Sequence, residues 1–485
     1  MLLRGTRTLH VLVLALVTLT LVAACAGQTI PGRARPSSDV DPGAVAGLPV
    51  TEGPSGLRDA VPTAKLQVSG YTGTSMDQLA VDALSDIFTF WHTAMPANFG
   101  KSFTPVRKLT SFDSNGANVK VCGQNSEGVE NAFYCPADDS VSWDRGTLLP
   151  ALNQMFGPMA VVTVFAHEMG HAVQFRLDSV NQATPTIVKE QQADCYAGAF
   201  IRWVAEGNAP HFQLSTGDGL NSVLSTMMFI RDQVGTTETD TMAHGNSFDR
   251  VTAFQFGFAD GPTRCNKIDY NEVRQRITEL GFTSESRTND NVAVDDSTLN
   301  LLEQGLTAAF KANRGTPPKI VDGNGSCADG TGTAPASYCP QDNTIAVDLA
   351  ALNELATLPP NDTLGISGAK GLGDFAAFAE VASRYAMAVQ HALGIPLDDK
   401  NAGLRTACLT GAWAGVIRHR ISDGPTEQLL LGPGDLDEAV AELLSPTSLI
   451  AADVHGDRVP AGFARVSSFQ DGFLQGSTVC TSQFN

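Results

Sequence analysis

The chain has 485 residues, 43% of them hydrophobic and 17% charged, with a formal net charge of −19. Such acidity argues against nucleic acid or an anionic lipid surface as the main partner, and the length is ample for two domains of ordinary size.

Arg4 and Arg7 precede an apolar run from Leu9 to Ala24, the layout of a secretory signal. The run ends Leu21-Val22-Ala23-Ala24-Cys25. A cysteine directly after small residues resembles the bacterial lipoprotein signal, in which that thiol is acylated and becomes the new amino terminus. Residues 1–24 are therefore expected to be a signal peptide and Cys25 the lipidation site, giving an exported protein anchored by lipid to the outer face of the cytoplasmic membrane. No later apolar run approaches about 18 residues, so the mature chain is not expected to span the bilayer. Residues 25–75 are rich in Pro, Gly, Ser, Thr and Ala and read as a flexible tether that gives the folded part reach.

Hydrophobic periodicity then predicts helices at about 77–95, 157–178, 187–206 and 220–234, and Ser140-Val141-Ser142-Trp143-Asp144 alternates like a short strand. The helix from Gly157 is apolar nearly all round, yet it carries His167-Glu168-Met169-Gly170-His171. Residues four apart on a helix lie one turn above each other on one face, so two imidazoles at HExxH spacing reach one metal while the glutamate points near its open position. With nine histidines in the chain, chance supplies such a segment only about 0.01 times. A catalytic zinc takes a third protein ligand, and Glu190-Gln191-Gln192-Ala193-Asp194 offers Glu190 for that role. Asp194, one turn on, suits the far nitrogen of a ligand histidine. His211 is the rival third ligand, placed after Pro210 in a loop-like stretch.

The run from Cys122 to Cys265 resembles the bacterial "putative neutral zinc metallopeptidase" family. The resemblance rests on Phe133-Tyr134-Cys135-Pro136-Ala137-Asp138, the HEMGH segment with Gln174, Gln192-Ala193-Asp194-Cys195-Tyr196-Ala197-Gly198, His244-Gly245 and Arg250-Val251. It implies an α+β, zincin-like peptidase fold, mostly helical with a short sheet, in which His167, His171 and Glu190 bind one zinc ion and Glu168 is the base. By analogy with such peptidases, the strand at 140–144 is expected to lie beside the metal and pair with substrate. One departure is Gly157-Pro158-Met159-Ala160, where the family shows Gly-Asp-Phe-Ala.

The pattern recurs. Cys122, Tyr134-Cys135-Pro136 and Asp144 match Cys327, Tyr338-Cys339-Pro340 and Asp348; Gly157 aligns with Gly373 and Ala172-Val173-Gln174 with Ala388-Val389-Gln390. Cys195 and Gly198 match Cys408 and Gly411, and Arg250-Val251, Phe254-Gln255, Gly257 and Cys265 match Arg465-Val466, Phe469-Gln470, Gly472 and Cys480. At the metal positions, however, His167, Glu168, His171, Glu190 and Asp194 face Ser383, Arg384, Met387, Gly403 and Ala407. A cation repels zinc and a thioether is a poor ligand for it, so zinc is expected in the first copy only. The organisation expected is a peptidase domain at 76–270, a linker at 271–289 and a degenerate copy at 290–485 that recruits substrate or a protein partner. Features kept in the degenerate copy read as structural: His244-Gly245 has its counterpart in His455-Gly456, whereas Tyr196, replaced by Leu409, stays eligible as a transition-state donor.

Without Cys25, eight cysteines allow 105 pairings; equivalent copies pairing alike leave three within each. We favour Cys122–Cys135 with Cys195–Cys265, and Cys327–Cys339 with Cys408–Cys480, over thiol ligands for a structural zinc, since no CxxC is present. Such bridges require an oxidising, exported location. The activity expected is cleavage of a peptide or protein in the cell envelope; the competing reading is an inactive lipid-anchored scaffold of two zincin-shaped domains.

Overall fold

Thr74 starts the first long helix, α1 (Ser75–Phe99), by accepting the Asp77 N–H on its hydroxyl, and Gly100 ends it in the left-handed conformation at φ 66°. The computed structural model describes residues 41–237, 243–276, 291–311, 315–328, 330–358, 371–419 and 427–484. After α1 comes a three-stranded sheet of β1 (Lys108–Phe112), β2 (Ala132–Cys135) and β3 (Ser140–Asp144), with a small hairpin of Lys120–Val121 and Gln124–Asn125 between the first two. The central strand is β3, parallel to β1 and antiparallel to β2, which leaves β2 at an edge. Next come α2 (Leu148–Phe156), α3 (Pro158–Leu177), α4 (Thr186–Ala205), α5 (Asp218–Phe229) and α6 (Ser247–Asp260). Every residue of α3 from Met159 to His167 is buried, as its all-round apolar character demands. Glycine sets the closest crossing: a Cβ on Gly198 would fall 2.0 Å from Phe254 O and one on Gly257 1.7 Å from Cys195 O, so α4 and α6 meet backbone to backbone.

The second half repeats this order with α7 (Asp296–Ala309), β4 (Lys319–Asp322), β5 (Ala336–Cys339), β6 (Thr344–Val347), α8 (Leu349–Ala356), α9 (Asp374–Ala392), α10 (Ala402–Ile417), α11 (Asp435–Leu444) and α12 (Gly462–Gln475). Here β6 is central, parallel to β4 and antiparallel to β5. Gly411 and Gly472 make the same close crossing of α10 and α12. The bridges Cys122–Cys135, Cys195–Cys265, Cys327–Cys339 and Cys408–Cys480 all form as favoured from the sequence.

The two halves share one apolar core. Across α6 and α12, Gln255 Nε2 donates to Phe463 O at 2.9 Å and Gln470 Nε2 donates to Thr252 Oγ1 at 2.5 Å, a reciprocal pair of contacts. Phe248 packs on Phe473 with ring centroids 5.2 Å apart, and Phe258 on Phe463 at 5.1 Å.

Two expectations need correction. Residues 41–74, assigned by composition to the tether, lie on the fold: Val45 is fully buried, the Thr51 N–H donates to Thr216 Oγ1 at 2.8 Å, and Gly56–Leu57 pairs with Phe212–Gln213. Backbone hydrogen bonds hold this segment, and they leave no mark on hydrophobic periodicity. Residues 271–276 of the expected linker belong to the helix Tyr270–Arg276; residues 277–289 lie outside the described residues, as do the signal peptide and Cys25. Among the described residues no helix is long and apolar enough to cross a membrane.

Candidate functional site

α3 supplies His167, Glu168 and His171; α4 crosses it with Glu190 and Asp194. Gly170, inside the motif, permits the crossing, since a Cβ there would lie 2.8 Å from Ala193 Cα. His167 Nε2 stands 3.2 Å from Glu190 Oε2, and His171 Nε2 stands 3.5 Å from Glu190 Oε1. One ligand atom from each of the three residues falls within 4.8 Å of the others.

The remaining nitrogens are already committed. His167 Nδ1 donates to Asp194 Oδ1 at 2.7 Å and His171 Nδ1 to Gln174 Oε1 at 3.1 Å, so the nitrogen each ring turns toward Glu190 is Nε2. Gln174 is fixed in turn by donating to Lys189 O at 2.6 Å and Gln192 Oε1 at 3.1 Å. Asp194 Oδ1 also accepts from Arg250 Nη2 at 2.8 Å, and Arg250 Nη1 donates to Ile230 O.

Electrostatically the cluster calls for a cation. Burial alone would strip His167 of a proton, but Asp194, Glu190 and Glu168 outweigh it and push the pKa up to about 10. His171 is likewise raised, by Glu190 against burial. Burial works to raise Glu190, yet the two imidazoles hold it well below the usual carboxylate range. Glu190 Oε2 is buried and has no partner at hydrogen-bond geometry. Two nitrogen donors and a carboxylate converging on one point, with an oxygen left over, fit zinc.

The ligands open onto a cleft of about 310 Å³, walled by Phe133, Leu148, Leu152, Val164 and Ile230 and edged by His244 and Arg250. Glu168 lies in it, and its Oε2 accepts the Tyr134 N–H at 2.9 Å. The strand beside the centre is therefore β2, not 140–144: β3 is paired on both sides and buried throughout. Alternation finds a strand but not its place in the sheet.

Tyr196 is not at the site. It is fully buried with its ring 5.4 Å from Trp91 in the core, and Leu409 replaces one core residue with another. His211 is not a ligand either: its Nδ1 bonds Asp86 Oδ1 at 2.5 Å on α1. His244, discounted on its sequence counterpart, does line the cleft. Its Nδ1 bonds Asp232 Oδ1 at 3.1 Å, and Asp232 Oδ2 accepts the N–H groups of His244 and Gly245. In the second half Asp453 accepts the His455 N–H from two residues before it, whereas Asp232 reaches His244 from twelve residues before, so the two His-Gly pairs are held differently. A matching residue pair in the sequence therefore says nothing of what the imidazole does.

In the second half the corresponding place is closed. Arg384, which the sequence aligns with Glu168, is fully buried and donates to Leu449 O at 2.6 Å and Asp453 O at 3.1 Å. Glu380 accepts the Leu449 N–H at 2.8 Å, drawing the 448–453 segment over the helix. Ser383 and Met387, aligned with the histidines, are buried as well.

Residues 39–268 match the family described as "Putative neutral zinc metallopeptidase". The uncharacterized protein YpfJ of Escherichia coli strain K12, and that of Escherichia coli O6:H1 strain CFT073, are each 30% identical over 167 residues. The match covers 30% of this chain and 56% of the relative, so the chain spans about half the length of the curated relatives it matches. No solved structure matches the chain.

Proposed function

We propose that the cleft is the active site of a zinc-dependent endopeptidase, exported and held to the cell envelope by a lipid on Cys25. The observation that carries this reading is the donor set: His167 and His171 each present Nε2 to Glu190, with their Nδ1 atoms bound elsewhere. His167, His171 and Glu190 would hold the metal. Zinc there would supply Lewis acidity toward a peptide carbonyl and acidify a water molecule.

The protein's own groups divide the remaining work. Glu168, steadied by the Tyr134 N–H, takes the proton of the attacking water and returns it to the leaving amine. The edge strand β2 offers backbone for an extended peptide to pair with, and the apolar wall favours an apolar side chain next to the scissile bond. His244, oriented by Asp232, is the group placed to donate a hydrogen bond to the carbonyl oxygen as it gains charge. The second half is a degenerate copy whose site is filled by Arg384 and residues 448–453. A scaffold built from two inactive halves would have no use for the complete donor set of the first.

Metal content and casein cleavage by wild type, Glu190→Ala and Glu168→Gln test the reading. One zinc per chain is expected in wild type and Glu168→Gln, less in Glu190→Ala, and cleavage in wild type alone. Wild type that binds no zinc when it is supplied would replace this reading with the scaffold.

A further inference from the structure

The segment that delivers His244 to the cleft is fastened at both ends by one side chain of the other half. Asp437, in the first turn of α11, accepts the Arg231 Nε–H on Oδ2 at 3.0 Å and the Ser247 N–H on Oδ1 at 2.7 Å. Arg231 directly precedes Asp232, and Ser247 follows closely on His244. The Arg231 and Asp437 side chains are 4% and 3% exposed. A buried, charge-assisted tie of this kind is short and directional, and losing one partner strands the other. Within the segment, the Asp232 N–H donates to Gly245 O at 3.1 Å, and Asp232 in turn binds the His244 ring. Asp437 thus fixes the stem, and Asp232 fixes the imidazole.

The reciprocal contact sharpens the point. α5 and α11 occupy equivalent places in the two halves, and Asn221 of α5 accepts the Gly462 N–H at 2.9 Å as Asp437 accepts that of Ser247. A neutral amide serves to join the halves in that direction. Asp218 of α5 faces Arg458 and Arg465 there, but the acceptor itself is neutral; on the cleft side the acceptor is the carboxylate, paired with the arginine that precedes Asp232.

We infer that the second half completes the active site of the first, with Asp437 as a positioning residue for the His244–Asp232 pair. This rests on reading the cleft as a hydrolytic centre. The test compares zinc-loaded wild type, Asp437→Asn and Asn221→Ala. The readouts are zinc content, kcat and KM on casein, and the His244 imidazole proton–carbon NMR cross-peak, assigned with His244→Gln. Asp437→Asn is expected to keep its zinc, lose at least tenfold in kcat with KM within twofold, and shift the His244 cross-peak; Asn221→Ala is expected to keep wild-type kcat and cross-peak. Wild-type kcat with an unmoved cross-peak in Asp437→Asn overturns the inference, as does an equal kcat loss in Asn221→Ala, which would mark a general effect of joining the halves. If Asp437→Asn does not fold, Arg231→Lys is judged by the same readouts. If wild type neither binds zinc nor cleaves, the hydrolytic reading falls by itself, and the His244 cross-peak alone decides whether Asp437 positions that residue.

Discussion

His167 and Arg250 meet on a single atom: Asp194 Oδ1 accepts from His167 Nδ1 at 2.7 Å and from Arg250 Nη2 at 2.8 Å. Asp194 is fully buried and Arg250 2% exposed, so the carboxylate both orients the His167 ring, a ligand in the proposed zinc site, and is the counter-charge of a buried guanidinium. Asp194→Asn should therefore lose about 10- to 100-fold in zinc affinity. It should also lose about 3 kcal/mol of stability by stranding Arg250. Adding Arg250→Met should restore much of the stability but not the zinc affinity. Competition with a chelator and urea unfolding measure the two; zinc affinity that returned with the second substitution would deny Asp194 its orienting role.

Gly170 makes a sharper case, because helix propensity and packing oppose each other there. Alanine is better than glycine inside a helix by about 1 kcal/mol. A Cβ at 170 would nevertheless sit 2.8 Å from Ala193 Cα and 2.9 Å from Ala193 O, both backbone atoms of α4 that cannot step aside. Gly170→Ala should push α4 away from α3, lowering both the melting temperature and zinc occupancy. A stabilised variant with full zinc would mean that the helices can part at this point without disturbing Glu190.

The same geometry explains what could be read from the chain. His167, His171, Glu190 and Asp194 were legible because each pair stands four residues apart on a helix, where spacing fixes the shared face. Helical spacing also argues against Tyr196: two residues beyond Asp194 it lies about 200° round the helix, and it indeed packs on Trp91. His244 and Asp232 come from a segment without a period, and the Tyr134 contact to Glu168 uses a backbone N–H, which carries no side-chain signature. Residues 44–58 escaped for a similar reason, being held by short pairings such as Gly56–Leu57 with Phe212–Gln213. The repeat of cysteines, by contrast, led to the favoured pairings that the four bridges follow, while the glycines that recur with them were matched without any reading of the close helix crossings they permit.

The two bridges of the first half should separate stability from activity. Cys195–Cys265 closes 70 residues and Cys122–Cys135 closes 13, so loop entropy assigns them about 4 and about 3 kcal/mol. Cys135, however, ends the edge strand and adjoins Tyr134, whose N–H steadies Glu168. Replacing Cys122 and Cys135 by alanine should lower kcat more than replacing Cys195 and Cys265, although it lowers stability less. Urea midpoints beside kcat values check this; activity that simply followed stability across the two variants would show that β2 does not hold the base.

Asp471 on α12 predicts a pH dependence of its own. Burial among residues of the segment 41–47 and α6 raises its pKa from 3.8 to about 6, against hydrogen bonds from Gln483 and Gln475. The folded value lies above the unfolded one, so below about pH 3.8 the group is protonated in both states and opposes nothing. As pH rises through about 6 the folded protein must accept a charge in a poor environment, and stability is lost. Asn cannot ionise and keeps an oxygen to accept from Gln475, the nearer of the two donors. Asp471→Asn should thus be more stable than wild type at pH 8 by about 1 to 2 kcal/mol, after discounting the part of the carboxylate still in water. The gap should narrow to about half at pH 5 and close near pH 4. Urea unfolding of both proteins across this range is the measurement, and a gap that stayed constant from pH 8 to 4 would place its origin outside the titration of Asp471.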